Sequence, residues 1–151
     1  MIGLLFGAVL AAADTTPPAI KTIWFTPAAI DTSVTEASFL LQAAVTDDLS
    51  GANYFEAVFT APESEVRRSG NIRFGPAREG MVSIKFTFPR FSNAGTWTLS
   101  HVVVSDVAGN TAQLGASELA QLGVETRLAV RSAKDETPPF LRLLSFAPSR
   151  I

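Results

Sequence analysis

One phrase occurs twice in this chain, near its two ends. Asp14-Thr-Thr-Pro-Pro18 opens a segment that runs through Phe25, Pro27 and Ile30, and Asp135-Glu-Thr-Pro-Pro139 opens another that runs through Phe146, Pro148 and Ile151. Aligned without gaps, Asp14, Thr16, Pro17, Pro18, Phe25, Pro27 and Ile30 meet identical residues, and Ile20/Leu141, Lys21/Arg142 and Ile23/Leu144 are near matches. A chain that restarts after one domain's length is built of modules. The simplest organisation is a linker at 14–18, a complete unit at 19–134, and a second linker with the first strand of a further, truncated unit at 135–151. A repeat of that size suggests an array of extracellular β-domains rather than an enzyme.

Composition narrows the classes further. The 151 residues suffice for one domain with a real core. The net charge of −2 leaves no electrostatic footprint for nucleic acid. Arg67, Arg68, Arg73 and Arg78 cluster locally and read as a solvated loop rather than a binding patch. The chain has no cysteine, which excludes disulfides, thiolate metal sites and cysteine catalysis. An exported domain without disulfides relies on its core or on bound ions, a pattern more typical of bacterial than of animal export.

Residues 1–13 read as a signal peptide. Ile2 to Leu10 is apolar and Ala11-Ala12-Ala13 follows, giving an h-region and an A-x-A-type cleavage site before Asp14. No Lys or Arg precedes the run, so a buried first strand or a short anchor is the competing reading. The run is too short to span a bilayer, and no other segment is apolar enough to cross one. The expected location is secreted or bacterial cell-surface, with no stable membrane span.

Strand patterns recur at short intervals between Gly, Pro, Asn and Asp. Ala19–Thr26 follows the stiff Pro17-Pro18 linker. Ser38–Thr46 places Phe39, Leu41, Ala43 and Val45 on one face, Tyr54–Ala61 does the same with Phe55, Ala57 and Phe59, and Val82, Ile84, Phe86 and Phe88 alternate most cleanly. In Thr96–Ser105, Trp97 and Leu99 share one parity and Val102 and Val104 the other. Both sets are buried only if the phase shifts, so the pattern predicts a bulge near Ser100-His101. Asp106–Asn110 reads as a turn with Gly109 at positive φ. Ser117–Leu122 reads as a helical turn capped by Ser117, and a last strand follows through Val124, Arg127, Ala129 and Arg131. About seven antiparallel strands, one short helical turn and aromatic inner faces indicate an all-β, two-sheet sandwich.

Taken in order, Asp-x-Thr-Pro-Pro, TDDLSG (Thr46–Gly51), AGTWTL (Ala94–Leu99) and SDVAGN (Ser105–Asn110) resemble the immunoglobulin-like domains of bacterial secreted and surface proteins, over about Asp14 to Asp135. The resemblance implies an immunoglobulin-like β-sandwich used in tandem, as an adhesin repeat or as a stalk beside an exoenzyme. It supplies no ligand.

One constellation could carry chemistry. Asp47 and Asp48 end one strand, Asp106 ends the Trp97 strand, Asn110 closes the next turn, and a linker aspartate, Asp14 or Asp135, can reach the same pole of a sandwich. This all-oxygen set fits calcium, with Asp106 as the leading ligand, and calcium is the one cofactor the sequence points to. A turn without metal explains the same residues, because Asp and Asn bond their own backbone. No Gly-x-Ser-x-Gly, His-Glu-x-x-His or phosphate-binding glycine loop is present. A Ser-His-Asp system would depend on His101, the single histidine. The adjacent Asp47 and Asp48 point to opposite faces of a strand and do not form a glycosidase pair. The expectation is a non-catalytic spacer or adhesion module whose partners are neighbouring repeats. A carbohydrate- or surface-binding module accessory to a secreted enzyme is the alternative, which Trp24 and Tyr54 would serve if exposed and coplanar.

Overall fold

A computed structural model describes residues 13–63 and 65–145. The proposed signal peptide therefore lies outside the described residues, except for Ala13, as do Phe146, Pro148 and Ile151 of the second copy.

Nine strands and one helix follow in order: β1 (Ala19–Thr26), β2 (Ala29–Asp31), β3 (Ala37–Thr46), β4 (Ala52–Thr60), β5 (Arg67–Ala77), β6 (Glu79–Phe88), β7 (Gly95–Asp106), β8 (Thr111–Gly115), α1 (Ala116–Gln121) and β9 (Arg127–Arg131). They form two sheets, β1-β3-β6 and β2-β9-β7-β4-β5, with β8 added beside β7. Inward-facing side chains of both sheets make one core, as the period-two pattern requires. Phe39, Leu41, Ala43 and Val45 of β3 meet Phe55, Ala57 and Phe59 of β4 and Val82, Ile84, Phe86 and Phe88 of β6, all buried. Phe39 stacks on Phe86 with centroids 5.1 Å apart and meets Phe59 edge-on at 5.2 Å. The two rings from different sheets thus lock the layers together.

The bulge expected in β7 is present. Phe59 pairs with Leu99 and Val58 with His101, so Ser100 is the extra residue. Its hydroxyl donates to the Val58 carbonyl at 2.9 Å. Trp97 and Leu99 on one side of it, and Val102 and Val104 on the other, are all buried. A second bulge, not evident from simple alternation, lies in β1. Ile20 pairs with Val45 and Thr22 with Ala44, so the register shifts at Lys21. The buried set therefore runs Ile20, then Ile23 and Phe25.

Several expectations need correction. There are nine strands rather than about seven among the described residues. The arginine-rich stretch is not a solvated loop: Arg67, Arg68 and Arg73 lie in β5, with alternating exposure. Arg73 sits over the Tyr54 ring at 5.0 Å, so the stems pack while the charges stay near solvent. Two more strands escaped because β2 is three residues long and β8 five. Pairing is not wholly antiparallel, since β2 runs parallel to β9. Helix α1 starts at Ala116, and its cap is Gly115 rather than Ser117. The Glu118 carboxylate accepts the Gly115 N–H at 3.0 Å and the Ser117 hydroxyl at 2.9 Å. This fixes the turn that delivers the fully buried Leu119. The last strand buries Leu128 and Val130.

The registers fix where the chain enters and leaves. Ala19 pairs with Thr46 and Ala52 with Asp106, so Asp14 and the 47–51 and 106–110 loops share one pole. Gly95 pairs with Val130, so β9 ends at the opposite pole, beside the 89–94 loop. Thr32, fully buried, donates its N–H to the Arg131 carbonyl at 2.8 Å and accepts the Phe91 N–H at 2.9 Å, which ties down the exit. Residues 132–145 take part in no strand. No helix among the described residues is long and apolar enough to cross a membrane.

Candidate functional site: an acidic pole that straps the linker

The acidic pole is assembled by hydrogen bonds to backbone. In the β3–β4 loop, the Asp47 Oδ2 accepts the N–H groups of Leu49 at 3.2 Å and Gly51 at 2.6 Å. Gly51 sits at φ 92°, and a Cβ there would lie 2.9 Å from the Ala77 nitrogen, so only glycine closes this turn. Arg78 donates from Nε to the Leu49 carbonyl at 3.1 Å. In the β7–β8 loop, the buried Asp106 accepts Asn110 N–H on Oδ1 and Asn110 Nδ2 on Oδ2, both at 2.8 Å.

Asp14 joins the linker to both loops. Its Oδ2 accepts the Ser50 N–H at 2.7 Å, its Oδ1 accepts the Thr16 N–H at 3.1 Å, and its carbonyl accepts Asn110 Nδ2 at 3.3 Å. The Ser50 hydroxyl, aided by the Thr16 and Ser50 N–H groups and by the Arg78 charge, holds the Asp14 carboxyl below its usual range against an opposing desolvation.

Of the residues singled out by sequence, the pole gathers Asp14, Asp47, Asp48, Asp106 and Asn110. It also decides between the two linker aspartates, because Asp135 lies at the opposite pole, where it lines a 460 Å³ groove with Phe91–Ala94 and Ser132–Lys134. One oxygen each from Asp14, Asp47 and Asp48 fall within 4.8 Å of one another. Asp106 is not part of that trio, since both of its oxygens serve Asn110. The Asp47 Oδ1 is buried without a hydrogen-bond partner. Three carboxylates with one such orphaned oxygen, all hard donors, fit a calcium ion. Asp14, Asp47 and Asp48 would hold it, and its charge would offset their mutual repulsion. Ser50, Gly51 and Arg78 were not expected at this pole. The Asp47-to-Gly51 spacing carried the signal for the first two, and nothing in the sequence flagged Arg78.

The other candidates stand apart. His101 is half-buried in β7, and its Nδ1 lies 3.3 Å from the Ser100 hydroxyl. Trp24 is exposed on the outer face of β1, with Nε1 donating to Gln42 at 3.2 Å. Tyr54 lies on the outer face of the other sheet, half-buried, with its hydroxyl donating to Glu56 at 2.8 Å. The Glu56 carboxylate pushes the Tyr54 hydroxyl above its usual value. The two rings thus lie on opposite faces of the sandwich and do not make one platform.

No family profile matches the sequence, and no curated protein matches it. Among solved structures, one similar chain is a selenomethionine-labelled β-glucosidase from Kluyveromyces marxianus, at 15% identity and a TM-score of 0.28. The match covers 75% of this chain and 15% of that one.

Proposed function

We propose that the chain is a non-catalytic extracellular immunoglobulin-like module, acting as a spacer or adhesion unit in a tandem array. The observation that carries this reading is polar separation. The linker is strapped to one pole by Asp14, and the chain leaves the other pole beside Thr32. The twelve residues of β7 set that separation at about 40 Å, at roughly 3.3 Å per residue. A unit with opposed, fastened ends transmits orientation along an array. The order β1-β3-β6 against β9-β7-β4-β5, with β2 crossing over to pair beside β9, supports the immunoglobulin-like topology. Trp97 departs from the antibody pattern, being in β7 rather than in the third principal strand.

In this reading residues 1–13 direct export, and the protein is secreted or displayed on a bacterial surface. Calcium at Asp14, Asp47 and Asp48 would stiffen the junction.

A carbohydrate- or surface-binding accessory module is the second reading, favoured only by the exposed indole of Trp24. Sedimentation of the chain with insoluble cellulose, chitin and peptidoglycan separates the two. The spacer reading expects no retention, and none of the loss on Trp24→Ala that a stacking platform would show. Retention abolished by Trp24→Ala would replace it with the binding reading.

A further inference from the structure

Residues 135–145 are described without strand pairing, and they carry Phe140, Leu141, Leu143 and Leu144 at 85%, 72%, 79% and 66% exposure. Four large apolar side chains in solvent on one short segment are an apolar load without cover among the described residues. The first copy shows what covers its equivalent. In β1 the covered positions are Pro18, Ile20, Ile23 and Phe25, all buried. Their counterparts are Pro139, Leu141, Leu144 and Phe146, all apolar. The correspondence includes the irregular step from 20 to 23 that the β1 bulge at Lys21 imposes. Plain alternation from Leu141 would bury Leu143 instead, whose counterpart Thr22 is exposed. Asp135 repeats the local turn of Asp14, accepting the Thr137 N–H at 3.0 Å, as Asp14 accepts that of Thr16. What it lacks is the pair of loops that Asp14 bridges.

We propose that the segment opening at Asp135 acts as the β1 of another unit of this chain's own kind. In that arrangement Leu141 and Leu144 face the partner's core, the segment pairs antiparallel with the partner's β3-type strand, and Asp135 bridges the partner's 47–51 and 106–110 loops. The proposal rests on the array reading above and names the contact by which one unit engages the next. The docked segment supplies a whole edge strand, so the junction is part of the next unit's core rather than a surface contact.

The test is a chain in which residues 31–134 are repeated directly after Ile151, so that 135–151 stand where 14–30 stand in the first unit. Limited proteolysis with mass spectrometry and amide NMR read the number of folded units. Two protease-resistant units are expected. Leu144→Asp should unfold the second unit and leave the first intact, whereas Leu143→Asp should leave both folded. An appended unit that stays unfolded with the native segment would overturn the proposal. So would a second unit indifferent to Leu144→Asp, or one more sensitive to Leu143→Asp. The polar separation of the 151-residue chain is measured independently, so failure here leaves the spacer reading standing on its own test.

Discussion

Phe88 of β6 stands edge-on against Trp97 of β7, with ring centroids 4.7 Å apart and planes at 77°. The two belong to different sheets, so the contact joins the layers near the pole where the chain exits. The indole is 1% exposed, and its Nε1 donates to the Asn93 carbonyl at 2.8 Å. Trp97→Ala removes the ring, the contact with Phe88 and that hydrogen bond together. A loss of about 3–5 kcal/mol is expected, a large fraction of a small domain's stability. Equilibrium denaturation checks it. A loss below about 1 kcal/mol would show that the indole contributes little to holding the sheets together.

Ser100 keeps two halves of β7 in phase. Ser100→Ala removes the hydroxyl bond to the Val58 carbonyl and should cost about 0.5–1.5 kcal/mol. Deleting Ser100 should do far more, because it turns either Trp97 and Leu99 or Val102 and Val104 outward. Loss of dispersed amide signals in the deletion variant, beside a folded Ser100→Ala, is the expected pair of NMR results. A folded deletion variant would contradict the bulge.

The acidic pole separates metal binding from turn closure. If calcium binds Asp14, Asp47 and Asp48 in the native state only, it adds about 2.7 kcal/mol at one hundred times its dissociation constant. Asp47→Asn should remove that increment. Asp106→Ala should instead cost about 1–3 kcal/mol equally with calcium or chelator, because the Asn110 N–H loses its carboxylate acceptor. Thermal melts of the three proteins in both conditions decide. Identical wild-type melts at millimolar calcium would dismiss a stabilising ion at this pole.

The strap at Asp14 is pH-sensitive in a defined direction. Its carboxyl is held below the usual value in the folded chain, so more protons bind when unfolded than when folded over that interval. The strap is fully present above the ordinary carboxyl value of about 3.9 and is lost as pH falls through the lower folded value. The Ser50 amide shift should titrate below pH of about 3.9, and Asp14→Asn should abolish that step. A midpoint above the ordinary value would mean that Asp14 is not held by Ser50.

The sequence disclosed the strands that obey one period and the one whose phase breaks visibly. In β7, Trp97 and Val102 could not both face inward without the bulge at Ser100. It hid β5, where arginines mask an alternation carried by small and half-buried residues such as Gly70 and Ile72. It also hid β2, where Ile30 is the only buried residue. Asp14, Asp47, Asp48, Asp106 and Asn110 were legible as a group because strand ends gather at poles. The division of labour among them was not, because it depends on which oxygens the backbone of Ser50, Gly51 and Asn110 takes.

The central claim is that one unit holds its two linkers at a fixed separation. The chain has no cysteine, so Thr15→Cys with Ala133→Cys places spin labels at the two poles without interference. Pulsed electron–electron distance measurement should return a single narrow distribution near 40 Å, the length of about twelve strand residues. A broad distribution, or a mean near half that value, would contradict the account.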